Sequence, residues 1–217
     1  MDKKQNWVFL EALLITVVVF IIGLYAGINF ETDRMNQVNN YYIESEVSLV
    51  DTLALSNLEK SNVVSCEALV EANKDLLNKI YEEASTLDRY DNSNTLTDNL
   101  ETFHRKYDIL RTYLWINLRE LKKSCGNDFS TMVYLYNNNE EDLTKKAENN
   151  VWSKLLLEVK NENENTILIP ISYDGNLTAL RTILEPYNLT SLPATVINDE
   201  TIFYKIPEKE EIINLVK

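Results

Sequence analysis

Tyr187-Asn188-Leu189-Thr190-Ser191-Leu192-Pro193-Ala194-Thr195-Val196-Ile197 is the stretch whose reading decides the fold. A helical segment ends into Glu185-Pro186-Tyr187, since proline cannot continue an interior helix. The apolar run 194–197 begins directly after Pro193. Asn198-Asp199-Glu200 is a turn, and Thr201-Ile202-Phe203-Tyr204 is a second β-prone run. Working back toward the N-terminus, residues 177–187 read as a helix and 166–173 as a strand. Pro170 inside that strand assigns it to a sheet edge, where a missing N–H is tolerated. Residues 140–160 read as a helix with Leu143, Val151, Leu155, Leu156 and Val159 apolar. Thr131-Met132-Val133-Tyr134-Leu135-Tyr136 reads as a strand. Forward from Tyr204, residues 208–216 make a last helix. The order is β-α-β-α-β-β-α.

That order, with Pro193 placed six residues after Tyr187, resembles the thioredoxin-like superfamily. Residues 187–197 match its Tyr-x-Val-x-x-x-Pro-Thr pattern, with Leu189 for Val and Ala194 for Thr. The resemblance covers residues 130–217. It implies an α/β/α sandwich and a cis proline beside the active site. It also implies that the backbone at Leu192 and Pro193 pairs with an extended peptide by strand addition. The family's Cys-x-x-Cys follows the first strand and opens the first helix. Here that place is Asn137-Asn138-Asn139-Glu140-Glu141-Asp142-Leu143, without a sulfur. Thiol exchange needs a thiolate and a resolving thiol, so no catalytic residue is assigned. The acids Glu140, Glu141 and Asp142 read as a cap and a solubilising cluster at a helix start, with acid-base or metal work as the alternative.

The chain has 217 residues, room for one medium domain or two small ones. Its formal charge is −13, and residues 1–30 sum to zero through Asp2, Lys3, Lys4 and Glu11, so the excess lies on 31–217. An acidic body repels phosphates, which argues against nucleic acid as a partner. With only 4 glycines there is no Gly-rich phosphate loop. No cofactor is expected.

Residues 8–28 are apolar except for Glu11, long enough to cross a hydrocarbon core of roughly 30 Å. Trp7 and Tyr25 lie near the ends, where aromatic rings prefer the interface. A cleaved signal peptide is the alternative, but Ala26-Gly27-Ile28 is a poor cleavage site. Lys3 and Lys4 place the N-terminus in the cytoplasm and the body outside. Membrane lipid is thus the first expected partner. Gly23 and Gly27 form a small-xxx-small pair that permits close helix approach, and so a homodimer; glycine is also simply common in membrane helices. An unknown protein partner is expected for the C-terminal domain.

Residues 31–124 contain neither proline nor glycine and read as helices joined by polar loops, a helical stalk. One helix covers about 32–61, with Val38, Tyr42, Leu49, Leu53 and Leu58 along one side. A second starts after Ser65, an N-cap residue, with Leu69, Leu76, Ile80, Ala84 and Leu87 as its stripe. Residues 88–95 read as a loop. A third helix covers about 97–123, where Leu100, Phe103, Tyr107, Leu110, Leu114, Leu118 and Leu121 recur at steps of three and four. Gly126 follows it. Coiled-coil association stays open, the heptads being short. The second and third helices form an antiparallel hairpin, which brings Cys66 to Cys125. A disulfide there closes a loop of about 60 residues, worth about 4 kcal/mol, and suits an extracytoplasmic body. Two free thiols are the alternative. His104, the single histidine, reads as a solvated surface residue, and no metal site is expected.

The organisation is therefore a tail (1–7), a transmembrane helix (8–30), a helical stalk (31–124) and a thioredoxin-like domain (125–217). The class is α+β in sum, with an α/β core. The functional expectation is a membrane-anchored binding or scaffolding module. The competing readings are an atypical thiol oxidoreductase using Cys66 and Cys125, and a structural membrane spacer.

Overall fold

Helix α1 spans Lys3–Glu59, a stretch without proline that is not broken by Gly23 or Gly27. The structure is a computed structural model that describes residues 3–59, 65–91, 97–126 and 129–216. The chain divides into two compact units, 1–41 and 42–217. In the first, the side chains of residues 7–30 are exposed without exception. Here α1 is long and apolar enough to cross a membrane.

In the second unit, α2 (Cys66–Asp91) and α3 (Thr97–Cys125) form the expected antiparallel pair. The Ser65 hydroxyl accepts from the Ala68 N–H at 3.3 Å and caps α2. Gly126 ends α3 at φ +88°, its N–H bonded to the Lys122 carbonyl, a left-handed cap that a side chain would strain. Leu69, Leu76, Ile80, Tyr107, Leu110, Leu114 and Leu118 are buried as their spacing requires. Helix α2 continues through Asp91, past the loop expected from residue 88. Residues 92–95 and the side chains of Leu58, Ala84, Leu87 and Leu100 lie outside the described residues. The C-terminal part of α1 joins the pair: Ser45 Oγ donates to Glu83 Oε2 at 2.5 Å, and Tyr42 meets Tyr107 edge-on at 6.2 Å.

The sheet contains β1 (Ser130–Tyr136), β2 (Thr166–Ser172), β3 (Ala194–Ile197) and β4 (Thr201–Phe203) in the order β2-β1-β3-β4. β1 runs parallel to β2 and antiparallel to β3, and β3 antiparallel to β4. α4 (Leu143–Glu162) joins the parallel pair, as a crossover must. α5 (Thr178–Leu184) and a short 3-10 turn lead to β3, and α6 (Lys209–Val216) follows β4. Strand alternation sends Met132, Tyr134, Leu168 and Ile197 to one face, where they pack with Trp152, Leu156 and Val159 of α4 and Ile212 and Val216 of α6. α3 packs against β2 and α5, so the hairpin forms a layer against the sheet through α3.

Long-range contacts toward both ends fix α3 to the sheet. Asn198 (φ +52°) and Asp199 (φ +62°) form the β3–β4 turn, a left-handed pair that Asn and Asp tolerate. Asp199 Oδ1 accepts from Trp115 Nε1 at 2.8 Å and from the Tyr187 hydroxyl at 3.1 Å, with Arg119 Nε at 3.6 Å. At the other end, the Ser172 N–H donates to Asp108 Oδ1 at 3.1 Å. That N–H belongs to the outer rim of β2, which is an edge as Pro170 requires. The Leu168 carbonyl, on the same rim, accepts from the Tyr81 hydroxyl at 2.9 Å, and Pro170 has no N–H to offer. Helices therefore close the β2 edge with side chains.

Candidate functional site

The sulfurs lie where the hairpin brings them. Cys66 and Cys125 form a disulfide with Cα atoms 5.5 Å apart, joining the start of α2 to the end of α3. The place after β1, where the resemblance puts a dithiol, is filled by caps. Asp142 Oδ1 accepts from the Thr144 N–H at 2.8 Å and opens α4. The same N–H bonds hold the Asp142 carboxyl below the usual range. Glu140 Oε1 accepts from the Asp142 N–H at 3.2 Å, and its other oxygen is 3.8 Å from Lys145. Asp142 thus caps α4 and Glu140 braces the turn before it, and among the described residues no group of His, Cys, Asp and Glu is arranged to hold a metal.

Leu192 and Pro193 stand at the entry to β3, joined by a cis peptide bond. Leu192 is half-buried and Pro193 buried. Register continues from them into the pairs Leu135 with Ala194 and Tyr134 with Thr195. They do not line the cavity bordered by β1 and β2.

That cavity has a volume of about 530 Å³, in the range of small-molecule sites. It opens where α2, α3 and α4 meet the closed edge of the sheet. Tyr81 of α2 and His104, Tyr107 and Arg111 of α3 form one wall. Tyr134 and Tyr136 of β1, two residues apart and so on one face, form a second with Leu168 and Pro170 of β2. Lys146, Asn149 and Ser153 of α4, together with Asn137, Asn138 and Glu140 of the preceding turn, form the rim.

The wall is aromatic and mostly neutral. Tyr134 and Tyr136 stack with ring centres 5.3 Å apart, and Tyr134 lies 6.2 Å from Trp152. The Tyr134 hydroxyl donates to Asn149 Oδ1 at 3.1 Å. Burial pushes the hydroxyls of Tyr81, Tyr107 and Tyr134 up, so they serve as neutral donors and acceptors. Arg111 is nine-tenths buried and holds Asp108 Oδ1 at 3.4 Å. Burial raises the Asp108 carboxyl, opposed by Arg111, by the Ser172 N–H and by nearby His104. His104 is not the solvated surface residue expected from Arg105 and Lys106 beside it. It is half-buried and lines the cavity, because the turn of α3 that carries it faces β2. The lining thus combines neutral phenols and amides with Arg111, Lys146, His104 and Glu140.

Sequence reasoning passed over this cavity. Tyr107 reads as one more member of the α3 stripe, and Arg111 carries no signal of its own. The available signal was the pair Tyr134 and Tyr136, two polar-tipped rings on one face of a strand whose intervening positions, Val133 and Leu135, are aliphatic. Family models, curated proteins and solved structures were all compared with this chain, and none matches.

Proposed function

We propose that this chain is a single-pass membrane protein whose residues 125–217 form a thioredoxin-like binding or scaffolding module without redox chemistry. The strand order β2-β1-β3-β4, with α4 crossing between the parallel pair, supports the fold assignment. The observation that carries the functional reading is the turn after β1. Amide side chains and a capping carboxylate fill it, while both sulfurs are bonded to each other at the hairpin end. Disulfide exchange has no nucleophile at that turn. Leu192, half-exposed beside Pro193, is the proposed contact for an extended peptide. Lys3 and Lys4 support a cytoplasmic N-terminus and an external body, and Gly23 and Gly27 a homodimer in the bilayer.

The test uses the full chain in nanodiscs. Insulin reduction should stay at the background of the added thiol. Turnover that disappears in Cys125→Ser would make the protein an oxidoreductase and overturn the binding-module reading. A photo-crosslinking residue at position 192 should capture a protein partner in membranes, and one at the exposed Glu158 should not. Equal capture at both positions would remove Leu192 from the interface. External protease on intact cells should degrade residues 31–217 and spare 1–30, whereas protection of the body would reverse the orientation.

A further inference from the structure

The cavity beside Arg111 calls for an occupant distinct from a peptide strand. The β2 edge that borders it is closed by Tyr81 and Asp108 and lacks the Pro170 N–H, so no strand adds there. We infer that this cavity is a binding site for a small organic carboxylate with a planar apolar body.

The charge pattern selects the anion. Among the lining residues Glu140 is the single carboxylate, and Lys145 and the Asp142 N–H already engage it. Arg111 and Lys146 present positive charge to the same space, in a chain whose net charge is −13. Arg111 is held in place by Asp108, so its guanidinium does not have to be ordered when a ligand arrives. A buried guanidinium suits a carboxylate, which it meets in a plane.

A phosphate is served less well. Phosphate sites are built from backbone N–H groups at a helix start. The start of α4, the helix nearest the rim, is occupied by its own Asp142 carboxylate. With Arg111 balanced by Asp108 and Glu140 by Lys145, Lys146 leaves one net positive charge, which matches one negative charge better than two. The flat wall comes from Tyr136, which is backed by the buried Tyr134 stacked on it at 5.3 Å; a ligand ring would lie along it with its edge toward the neutral hydroxyls.

The probe is phenylacetate, titrated by calorimetry into the full chain in nanodiscs, with phenylacetamide and inorganic phosphate as the other arms. Saturable binding of phenylacetate is expected, with the amide weaker by about 10-fold or more, since it lacks the charge-assisted bond. Arg111→Gln should weaken phenylacetate by about 10- to 100-fold. Lys146→Gln, at an exposed position that cannot disturb the core, should weaken it by about 2- to 5-fold. Near-ultraviolet circular dichroism checks that Arg111→Gln is folded. If that variant unfolds, Lys146→Gln decides. Equal affinity for the acid and the amide, tighter binding of phosphate, absence of saturable heat, or an unchanged affinity in Lys146→Gln would each overturn the proposal.

Discussion

Asp199 tests the claim that the β3–β4 turn pins α3 to the sheet. Asp199→Ala removes the acceptor for Trp115 Nε1, and Trp115 is 0% exposed, so its N–H finds no water. A buried donor left without a partner costs about 1–3 kcal/mol. The Tyr187 hydroxyl is half-buried and rehydrates, and the Arg119 pair is partly exposed, so together they add less than about 1 kcal/mol. Alanine at φ +62° adds about 1–2 kcal/mol, because its Cβ crowds the backbone in the left-handed region. The sum is about 3–4 kcal/mol, a large share of the ~5–15 kcal/mol that stabilises a typical domain. Two companions divide it. Asp199→Gly keeps the turn and loses the acceptor, and should cost about 2 kcal/mol. Asp199→Asn keeps both an oxygen acceptor and a residue at ease in this conformation, and should cost less than about 1 kcal/mol. Thermal melts followed by near-ultraviolet circular dichroism should place the Ala midpoint about 10 °C below the parent. The reasoning fails if Asp199→Asn is as damaging as Asp199→Ala, or if all variants melt with the parent.

The two buried tryptophans of the second unit should respond differently. Trp115→Phe removes one of the hydrogen bonds that Asp199 accepts, whereas Trp152 Nε1 has no acceptor among the described residues, so Trp152→Phe should cost measurably less in urea titrations. Removing the disulfide as Cys66→Ala/Cys125→Ala should lower stability by about 4 kcal/mol, read as a fall in the urea midpoint that dithiothreitol reproduces in the parent. Burial, with the Asp199 charge second, pushes the Tyr187 hydroxyl up to about 12. A raised folded value means that the stabilisation is complete below the ordinary value of about 10 and is lost as pH climbs from about 10 to about 12. Tyr187→Phe should shift the alkaline unfolding profile to higher pH, and an unchanged profile would remove Tyr187 from it.

Local signals made the elements legible. Steps of three and four in α3, the Ser65 cap and Gly126 gave that hairpin, and with it the Cys66–Cys125 pairing. Turn residues on both sides of Ala194–Ile197 gave β3, and Pro170 gave the edge. What stayed hidden is carried by contacts between distant residues. Trp115 meets Asp199, Asp108 meets Ser172, and Tyr81 meets Leu168 across separations that no periodicity encodes. The layer of α3 on the sheet, the buried setting of Arg111 and the half-buried place of His104 all follow from those contacts. Asp199 reads as an ordinary turn residue until the indole that it holds is seen.

The closed β2 rim limits how copies of this protein can assemble. Growth of a fibril by edge pairing requires every subunit to offer two free rims, one to receive and one to give. Here one rim is spent internally on a phenol and a carboxylate, and its centre is a proline. The other rim is β4, only Thr201–Phe203 long. A copy therefore has at most one rim to share, so pairing through the sheet terminates at two subunits. Filament formation through the sheet is in this way limited by geometry, independent of charge and of ionic strength.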